Sequence, residues 1–219
     1  MNTPIILYED KDIIVCDKPA GIPVQTRKLG QPDMESILKN HIASENKTGK
    51  PPYLAVIHRL DQPVSGIMVF AKTPEAASNL NRQLTSDSFS KDYRAVCCGR
   101  LHAPCGTLVD YMVKDGRTNT SRICSKNTPH AKRAELSYET IEVKEDADGN
   151  ALSTVIVHLK TGRHHQIRVQ MAHAGAPLWG DNKYNPYFVQ KKGYTPISLR
   201  AYHLAFRHPV SGKMMDFTE

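Results

Sequence analysis

Residues 54–71, LAVIHRLDQPVSGIMVFA, contain two apolar runs separated by a loop-forming segment, HRLDQPVSG, at residues 58–66. Apolar runs of this length next to turn residues are typical of buried strands. The segment between them brings His58, Arg59 and Asp61 close together. A loop held at both ends by buried strands is rigid enough to aim a side chain, so Asp61 is a candidate site residue. The alternative is that Asp61 only caps the turn that follows it.

The composition is that of a folded protein, and we expect a single domain over residues 1–219. Hydrophobic residues make up 40% of the chain, enough for a core without disulfides or metal. The five cysteines form no C-x-x-C pair, which favours reduced thiols. The N-terminus is too polar for a signal peptide, and no apolar run approaches the roughly 18 residues of a membrane span. We therefore expect a soluble, cytoplasmic protein without membrane contact.

The net charge of +7 predicts an acidic partner. Nucleic acid is the commonest such partner inside cells, although many basic enzymes bind only small anions.

The apolar pattern predicts an α+β domain built on a large mixed, mainly antiparallel β-sheet that is flanked by helices and loops. Alternation of period two predicts strands near residues 93–97, 134–138 and 155–159. Helical spacing predicts helices at residues 33–44 and 163–175, and a further helix with Pro74 in its first turn.

A second segment, TGRHHQIRVQMAHAG at residues 161–175, is expected to bury one stripe of its helix that includes Ile167. Arg168 lies beside that stripe, where a cation usually has a carboxylate partner. Residues 163–165 would occupy the first helical turn, where basic side chains and backbone N–H groups can hold an anion. The alternative is a basic, solvated helix end.

A third segment, residues 114–133, contains a single acidic residue and several basic ones. No aromatic residue interrupts it, so it suits phosphate contacts rather than base stacking. A solvated basic loop is the alternative. The basic residues are Lys114, Arg117, Arg122, Lys126, Lys132 and Arg133.

Metal binding is the rival explanation for the histidines. His164 and His165 are adjacent, and on a helix they would diverge by about 100° and could not share an ion. His58 and Asp61 remain a candidate metal pair, which would suit a metal-dependent hydrolase. The cysteines are scattered, and we expect no bound metal.

Four segments occur in a characteristic order and spacing. They are DKPAGIPV, HRLDQPVSGIMVFAK, TGRHHQIRVQMAHAGAPLWGDNKY and YHLAFRHP. Together they resemble the RluA-type pseudouridine synthase family over residues 5 to about 217. The chain starts directly at the catalytic domain, so we expect no N-terminal S4-type RNA-binding module.

The resemblance implies that Asp61 is the catalytic aspartate, which forms a covalent adduct with the target nucleotide and pairs with Arg168. It also implies that Tyr93 is the active-site tyrosine, which can stack on the flipped base. Arg59 would fill the vacated stack or bind phosphate. A uracil pocket would include Leu199 and Ile167.

Without an S4-type module, the catalytic domain must make its own contacts with RNA. We expect these contacts mainly from basic side chains, including those of residues 114–133. The predicted RNA-binding residues are His58, Arg59, Arg117, Arg122, Lys126, Lys132, Arg133, Arg163 and His165.

The sequence thus predicts a monomeric RNA pseudouridine synthase that isomerises specific uridines in ribosomal or transfer RNA without any cofactor. The alternative is a non-catalytic RNA-binding protein or RNA chaperone of the same fold. No motif identifies the target RNA or uridine, or chooses between a nucleophilic and an elimination route for Asp61.

Overall fold

A computed structural model describes residues 3–45, 50–86 and 88–219 of the chain. Its elements, in chain order, are β1 (Ile5–Glu9), β2 (Ile13–Lys18), α1 (Met34–Glu45), β3 (Ala55–Val56), β4 (Ser65–Ala71), α2 (Pro74–Leu84), β5 (Phe89–Cys98), β6 (Cys105–Asp115), β7 (Thr120–Cys124), β8 (Lys132–Glu145), β9 (Ala151–Leu159), α3 (Gln166–His173), α4 (Pro186–Gln190), β10 (Leu199–Arg207) and β11 (Met214–Thr218). They group into two compact units, one formed by residues up to 91 together with 201–219 and the other by residues 92–200. The expectation of one domain stays a prediction.

The first unit is built on β2 and β4, whose side chains are almost entirely buried. β2 pairs antiparallel with β1 and with β4, and Val15 lies opposite Val69. β10 lies beside β4, β11 pairs antiparallel with β10, and β3 makes a short antiparallel pair with the end of β4. The apolar run at residues 67–71 therefore forms a buried strand, as predicted.

Helix α2 packs on the core of this unit. Ala76 and Leu80 are buried in the same cluster as Ile13 and Phe206. The helix begins as its sequence predicts, with Pro74 in the first turn. Its first turn is capped by Thr73 Oγ1, which accepts the backbone N–H of Ala76 at 3.2 Å.

The second unit contains the strand order β5-β9-β8-β6-β7, and each neighbouring pair in it is antiparallel. The predicted alternation is confirmed on β5, where Tyr93, Ala95 and Cys97 are buried. It is also confirmed on β8, where Ala134 and Leu136 are buried. Together with the few helices, these strands confirm the expected α+β class with mainly antiparallel pairing.

Helix α3 begins later than predicted. Its first residue is Gln166, three positions after the expected start at Arg163. The Gln166 Oε1 atom accepts the backbone N–H of Arg163 at 2.9 Å and the hydroxyl of Thr161 at 2.8 Å, which holds the preceding residues in a turn. His165 then adopts a left-handed conformation with φ 54°, which a helix cannot contain. Residues 163–165 therefore precede the helix instead of forming its first turn.

The helix is also buried on every side from Gln166 to Met171, so the prediction of a single buried stripe was too narrow. The predicted helix at residues 33–44 is confirmed as α1, which runs over Met34–Glu45. In the three described ranges, no helix has both the length and the apolar character that crossing a membrane requires.

Candidate active site

The loop that carries Asp61 joins β3 to β4 in the first unit. His58 and Leu60 point into the protein, Arg59 is exposed, and Asp61 is half-buried. The carbonyl oxygen of Asp61 accepts the backbone N–H of Val64 at 3.0 Å, which closes the predicted turn. Buried neighbours and a closed turn fix the backbone here, so the carboxyl group of Asp61 is held in a defined position.

His58 anchors this loop from inside the unit. Its Nε2 atom accepts the backbone N–H of Val69 on β4 at 3.3 Å, and its ring packs edge-on against Phe89 at 5.7 Å between centroids. The ring proton therefore sits on Nδ1, which is buried and has no hydrogen-bond partner among the described residues. Burial, with a smaller effect of Lys91, lowers the pKa of His58 to about 3. The buried ring thus connects the loop to β4, and the predicted contact of His58 with RNA stays a prediction.

Lys18 lies beside the same loop and was not among the predicted site residues. Its buried ammonium donates to the carbonyl oxygens of Pro19 (3.1 Å), Ile22 (2.7 Å) and Gln62 (3.2 Å). Burial lowers the pKa of Lys18 to about 8, and the nearby negative charge of Asp61 acts in the opposite direction. Lys18 thus ties the K-P-A-G segment to the Asp61 loop. Its place in that motif was the signal that could have identified it.

Gly66, the second residue of β4, has a conformation that favours glycine, with φ +131°. A Cβ atom at this position would lie 2.2 Å from the backbone carbonyl oxygen of Ala201 on β10. The Ser–Gly step of the motif is therefore required by the close approach of β10 to β4.

The predicted base-contacting residues lie in the second unit. Tyr93 is on β5 opposite Val157 of β9, with only 6% of its surface exposed. Ile167 on α3 and Leu199 at the start of β10 are buried as well. Their contacts with uracil stay predictions.

Arg168 has a carboxylate partner within the second unit, Asp181. Its Nε donates to Oδ2 at 2.8 Å and its Nη2 to Oδ1 at 2.7 Å, and the two side chains are 3% and 0% exposed. Asp181 Oδ1 also accepts the backbone N–H groups of Lys183 and Tyr184. A bidentate pair of this kind fixes the plane of the guanidinium. The sequence predicted a carboxylate partner for Arg168 but missed Asp181, and pairing with Asp61 stays a prediction.

Tyr184 supports the same guanidinium through its ring. The central carbon of Arg168 lies 5.2 Å from the ring centroid, which is within the range of a cation–π interaction. The Tyr184 hydroxyl accepts the backbone N–H of Ser121 at 2.8 Å and lies 2.7 Å from Nδ1 of His165. The ring is therefore held by β7 and by the residue that precedes α3.

His164 and His165 stack on each other, with 3.8 Å between ring centroids. This corrects the expectation that they would diverge by about 100°, because that expectation assumed a helical backbone. Burial, and next to it Arg168, lowers the pKa of His165 to about 2. Burial, and next to it Lys114, lowers the pKa of His164 to about 4. Both rings are neutral at neutral pH, so they add no positive charge at the start of α3. The predicted contact of His165 with RNA stays a prediction.

The basic segment runs from the end of β6 through β7 and the following loop to the first residues of β8. Five of the predicted RNA-contacting side chains in this segment are exposed, namely Arg117, Arg122, Lys126, Lys132 and Arg133. Arg163 is half-buried and donates from Nε to the carbonyl oxygen of Arg133 at 2.8 Å, so it braces the start of β8. Their contacts with RNA stay predictions.

Metal-ligating side chains come close together elsewhere in the first unit. In the part of the chain that the structure describes, the two groups are Glu9 with His41 and Glu45, and Asp10 with Asp12 and His208. Neither group includes His58 or Asp61, and Nε2 of His58 already accepts a backbone N–H. This geometry gives no support to a metal-dependent hydrolase built on that pair.

Comparison with known proteins identifies the family. Residues 12–173 match the family model described as RNA pseudouridylate synthase. The chain belongs to the RNA pseudouridylate synthase family. The resemblance seen in the four motifs is thereby confirmed, and Asp61, Tyr93 and Arg168 all lie in the matched range.

Curated relatives in the RNA pseudouridylate synthase family include the ribosomal large subunit pseudouridine synthase D of Vibrio cholerae serotype O1, which is 33% identical over 97% of this chain and 65% of its own length. The protein of the same name from Zymomonas mobilis is 32% identical over 97% of this chain and 67% of its own length. The chain thus spans about two thirds of the length of these relatives.

Solved structures agree with this family fold. Human RNA pseudouridylate synthase domain containing 4 has a TM-score of 0.78 at 21% identity and covers 98% of this chain and 87% of its own. Human RNA pseudouridylate synthase domain containing 1 has a TM-score of 0.79 at 20% identity, with coverage of 99% and 83%.

Proposed function

We propose that this chain isomerises specific uridines in RNA to pseudouridine in the cytoplasm, through Asp61 and without a metal or organic cofactor. The observation that carries the proposal is the setting of Asp61, a half-buried carboxyl group on a loop braced by His58 and Lys18, within the range that matches the family. The names of the curated relatives favour ribosomal over transfer RNA as the substrate.

The reaction breaks the C1′–N1 bond of uridine and forms a bond between C1′ and C5 of the same base. The base loses its C5 proton and gains a proton on N1, so the overall change is an isomerisation. A carboxylate can serve as a nucleophile on the sugar, as a nucleophile on the uracil ring, or as a base in an elimination route. Each route uses Asp61 in its ionised form, and the buried ammonium of Lys18 nearby favours that form.

Arg168 and Tyr93 complete the proposed catalytic set. Arg168 would pair with Asp61, and its own orientation would come from the bidentate pair with Asp181. Tyr93 would stack on the flipped base and, in the elimination route, accept a proton. Ile167 would line the uracil pocket, as would Leu199.

Access to the base requires that it leave its stack in the folded RNA. Arg59 is exposed two residues before Asp61, where a planar cation could fill the vacated stack or hold a phosphate. The exposed cations of the basic segment, such as Arg117 and Arg122, would bind phosphates of the RNA on either side of the target nucleotide.

Release of tritium from RNA labelled at C5 of uridine tests the proposal. The wild-type chain should release tritium from ribosomal RNA in the presence of EDTA, and Asp61→Asn should release none. Asp148→Asn, an exposed turn residue, serves as the matched control and should behave as wild type. Release that EDTA abolishes would favour a metal enzyme. No release from any cellular RNA, with RNA affinity intact, would favour the chaperone alternative.

The role of Arg168 is tested by separating binding from turnover. Arg168→Lys should lower turnover in the bound complex far more than it lowers RNA affinity, because a lysine cannot reproduce the bidentate geometry. A large loss of affinity with turnover preserved would contradict the proposed role.

A further inference from the structure

Residues 182–195 of the second unit, NKYNPYFVQKKGYT, combine exposed aromatic rings with positive charge. The segment contains three lysines and no acidic residue. Tyr187 is 63% exposed and Tyr194 is 70% exposed, and Lys191 and Lys192 are exposed as well. These four residues are called the tyrosine–lysine patch below.

The patch rests on a rigid support. Asn185 is buried, and its Oδ1 atom accepts the backbone N–H of Tyr187 at 3.1 Å while its amide nitrogen donates to the carbonyl oxygen of Leu178 at 3.0 Å. Phe188 is buried and packs edge-on against Trp179 at 5.0 Å between centroids. Anchored on both sides, α4 holds the Tyr187 ring out into solvent.

The Lys191 side chain lies close to two aromatic rings. The Lys191 ammonium lies 5.6 Å from the ring centroid of Tyr187 and 5.5 Å from that of Phe188. A shallow depression with a cavity volume of about 20 Å³ lies beside the Lys191 side chain, lined by residues that include Phe188, Lys191 and Tyr194. Sites for small organic molecules usually enclose about 300–1,000 Å³. The depression is far too small to enclose a ligand, so a group that contacts this surface can only rest on the exposed rings.

Exposed aromatic rings beside lysines match the chemistry of single-stranded nucleic acid, whose bases offer flat faces and whose backbone is negative. The basic segment at residues 114–133 contains no phenylalanine, tyrosine or tryptophan, so it can hold phosphates but has little on which bases could stack. The two surfaces are therefore chemically different.

We propose that the tyrosine–lysine patch binds a single-stranded stretch of the RNA substrate, with bases stacked on Tyr187 and Tyr194 and phosphates near Lys191 and Lys192. The inference rests on the proposed function for the class of partner. It adds a specificity: the protein would prefer RNA substrates that contain an unpaired stretch.

The test compares a single-stranded polyuridylate of about 12 nucleotides with an RNA duplex of the same length. Trp179 is the one tryptophan in the chain and touches Phe188, so its fluorescence can follow binding in the wild-type protein. Replacing Tyr187 and Tyr194 together by alanine should weaken single-strand binding roughly 10- to 100-fold and duplex binding much less. Replacing both by phenylalanine should keep affinity within about threefold, because the rings remain.

Tyr53→Ala is the matched control, because Tyr53 is 46% exposed but lies in the first unit. It should leave the affinity for the single strand unchanged. If the double alanine variant does not fold, Tyr194→Ala alone decides the matter, because Tyr194 lies outside α4 and should still weaken binding roughly fivefold or more.

The proposal is overturned if the alanine variants bind the single strand within twofold of wild type, or if the phenylalanine variant loses as much as the alanine variant. It is also overturned if the tyrosine substitutions change only self-association in sedimentation, since the patch would then be a protein interface. If only the proposal for the tyrosine–lysine patch is wrong, the wild-type enzyme still releases tritium and Asp61→Asn does not. If the proposed function is wrong, tritium release is absent or does not depend on Asp61.

Discussion

Replacing Asp181 by asparagine perturbs the buried pair that orients Arg168. The substitution keeps the size of the side chain but removes its charge and one of the two oxygens that accept from the guanidinium. It also brings an amide N–H group towards backbone donors, since Oδ1 accepts the N–H groups of Lys183 and Tyr184.

The size of the effect follows from burial. Both side chains are almost fully buried, at 3% and 0% exposure, so water cannot replace the lost carboxylate. Removing one partner of a buried ion pair costs about 3–5 kcal/mol. A chain of this size loses about 2–4 °C in Tm for each kcal/mol, so Asp181→Asn should lower Tm by roughly 6–20 °C.

Urea unfolding followed by circular dichroism measures the change in free energy, and a double-mutant cycle assigns it to the pair. Arg168→Met and the double variant with Asp181→Asn complete the cycle. The double variant should be less destabilised than the sum of the single variants by about 1.5–3 kcal/mol. A loss below about 1 kcal/mol for Asp181→Asn, or additive single effects, would refute the argument that this pair holds Arg168 in place.

Three further predictions concern other parts of the molecule. Burial lowers the pKa of His58 from 6.5 to about 3, so the unfolded chain is protonated at a higher pH than the folded chain. The contribution of the neutral ring to the free energy of unfolding is complete above pH 6.5. It should be lost as the pH falls from 6.5 towards 3, by up to about 1.4 kcal/mol per pH unit. His58→Gln should flatten this acid limb in urea unfolding between pH 7 and 4.5, and an unchanged limb would assign the acid sensitivity elsewhere. Gly66→Ala should cost at least about 3 kcal/mol or prevent folding, because its Cβ would lie 2.2 Å from a backbone oxygen of β10, whereas Gly116→Ala meets no atom within 4 Å and should be tolerated. Replacing Arg117 and Arg122 by glutamine should lower the slope of log affinity against log salt concentration by about 0.7 for each phosphate that the protein no longer neutralises. An unchanged slope would mean that these residues are solvated and do not bind RNA.

Much of the fold could be predicted because it depends on near neighbours along the chain. The alternation at Tyr93, Ala95 and Cys97 appears as a buried face of β5. Helix α2 begins at its proline with a threonine cap, as local rules require. The loop around Asp61 lies between two strands because apolar runs on either side of a turn leave few alternatives.

Predictions about the candidate site were less complete where the backbone departs from a regular element. The periodicity of residues 161–175 extends a helix back to residue 163, but the side chain of Gln166 and the left-handed His165 make the helix begin three residues later. For the same reason, adjacent histidines expected to diverge are stacked. The burial of His58 and His165 also could not be predicted, since it depends on which elements cover them.

The amino-acid sequence by itself determined the strand and helix pattern, the four motifs and the choice of Asp61, Tyr93 and Arg168 as candidates. Only the tertiary structure decided which carboxylate pairs with Arg168 inside the second unit, and that Lys18 lies buried beside the Asp61 loop. The physical reason is that periodicity and capping act over a few residues, whereas a buried cation is stabilised by whichever oxygen atoms the folded chain brings to it. The chain has 22 acidic residues, and although Asp181 lies within the third motif, no local pattern shows that it pairs with Arg168.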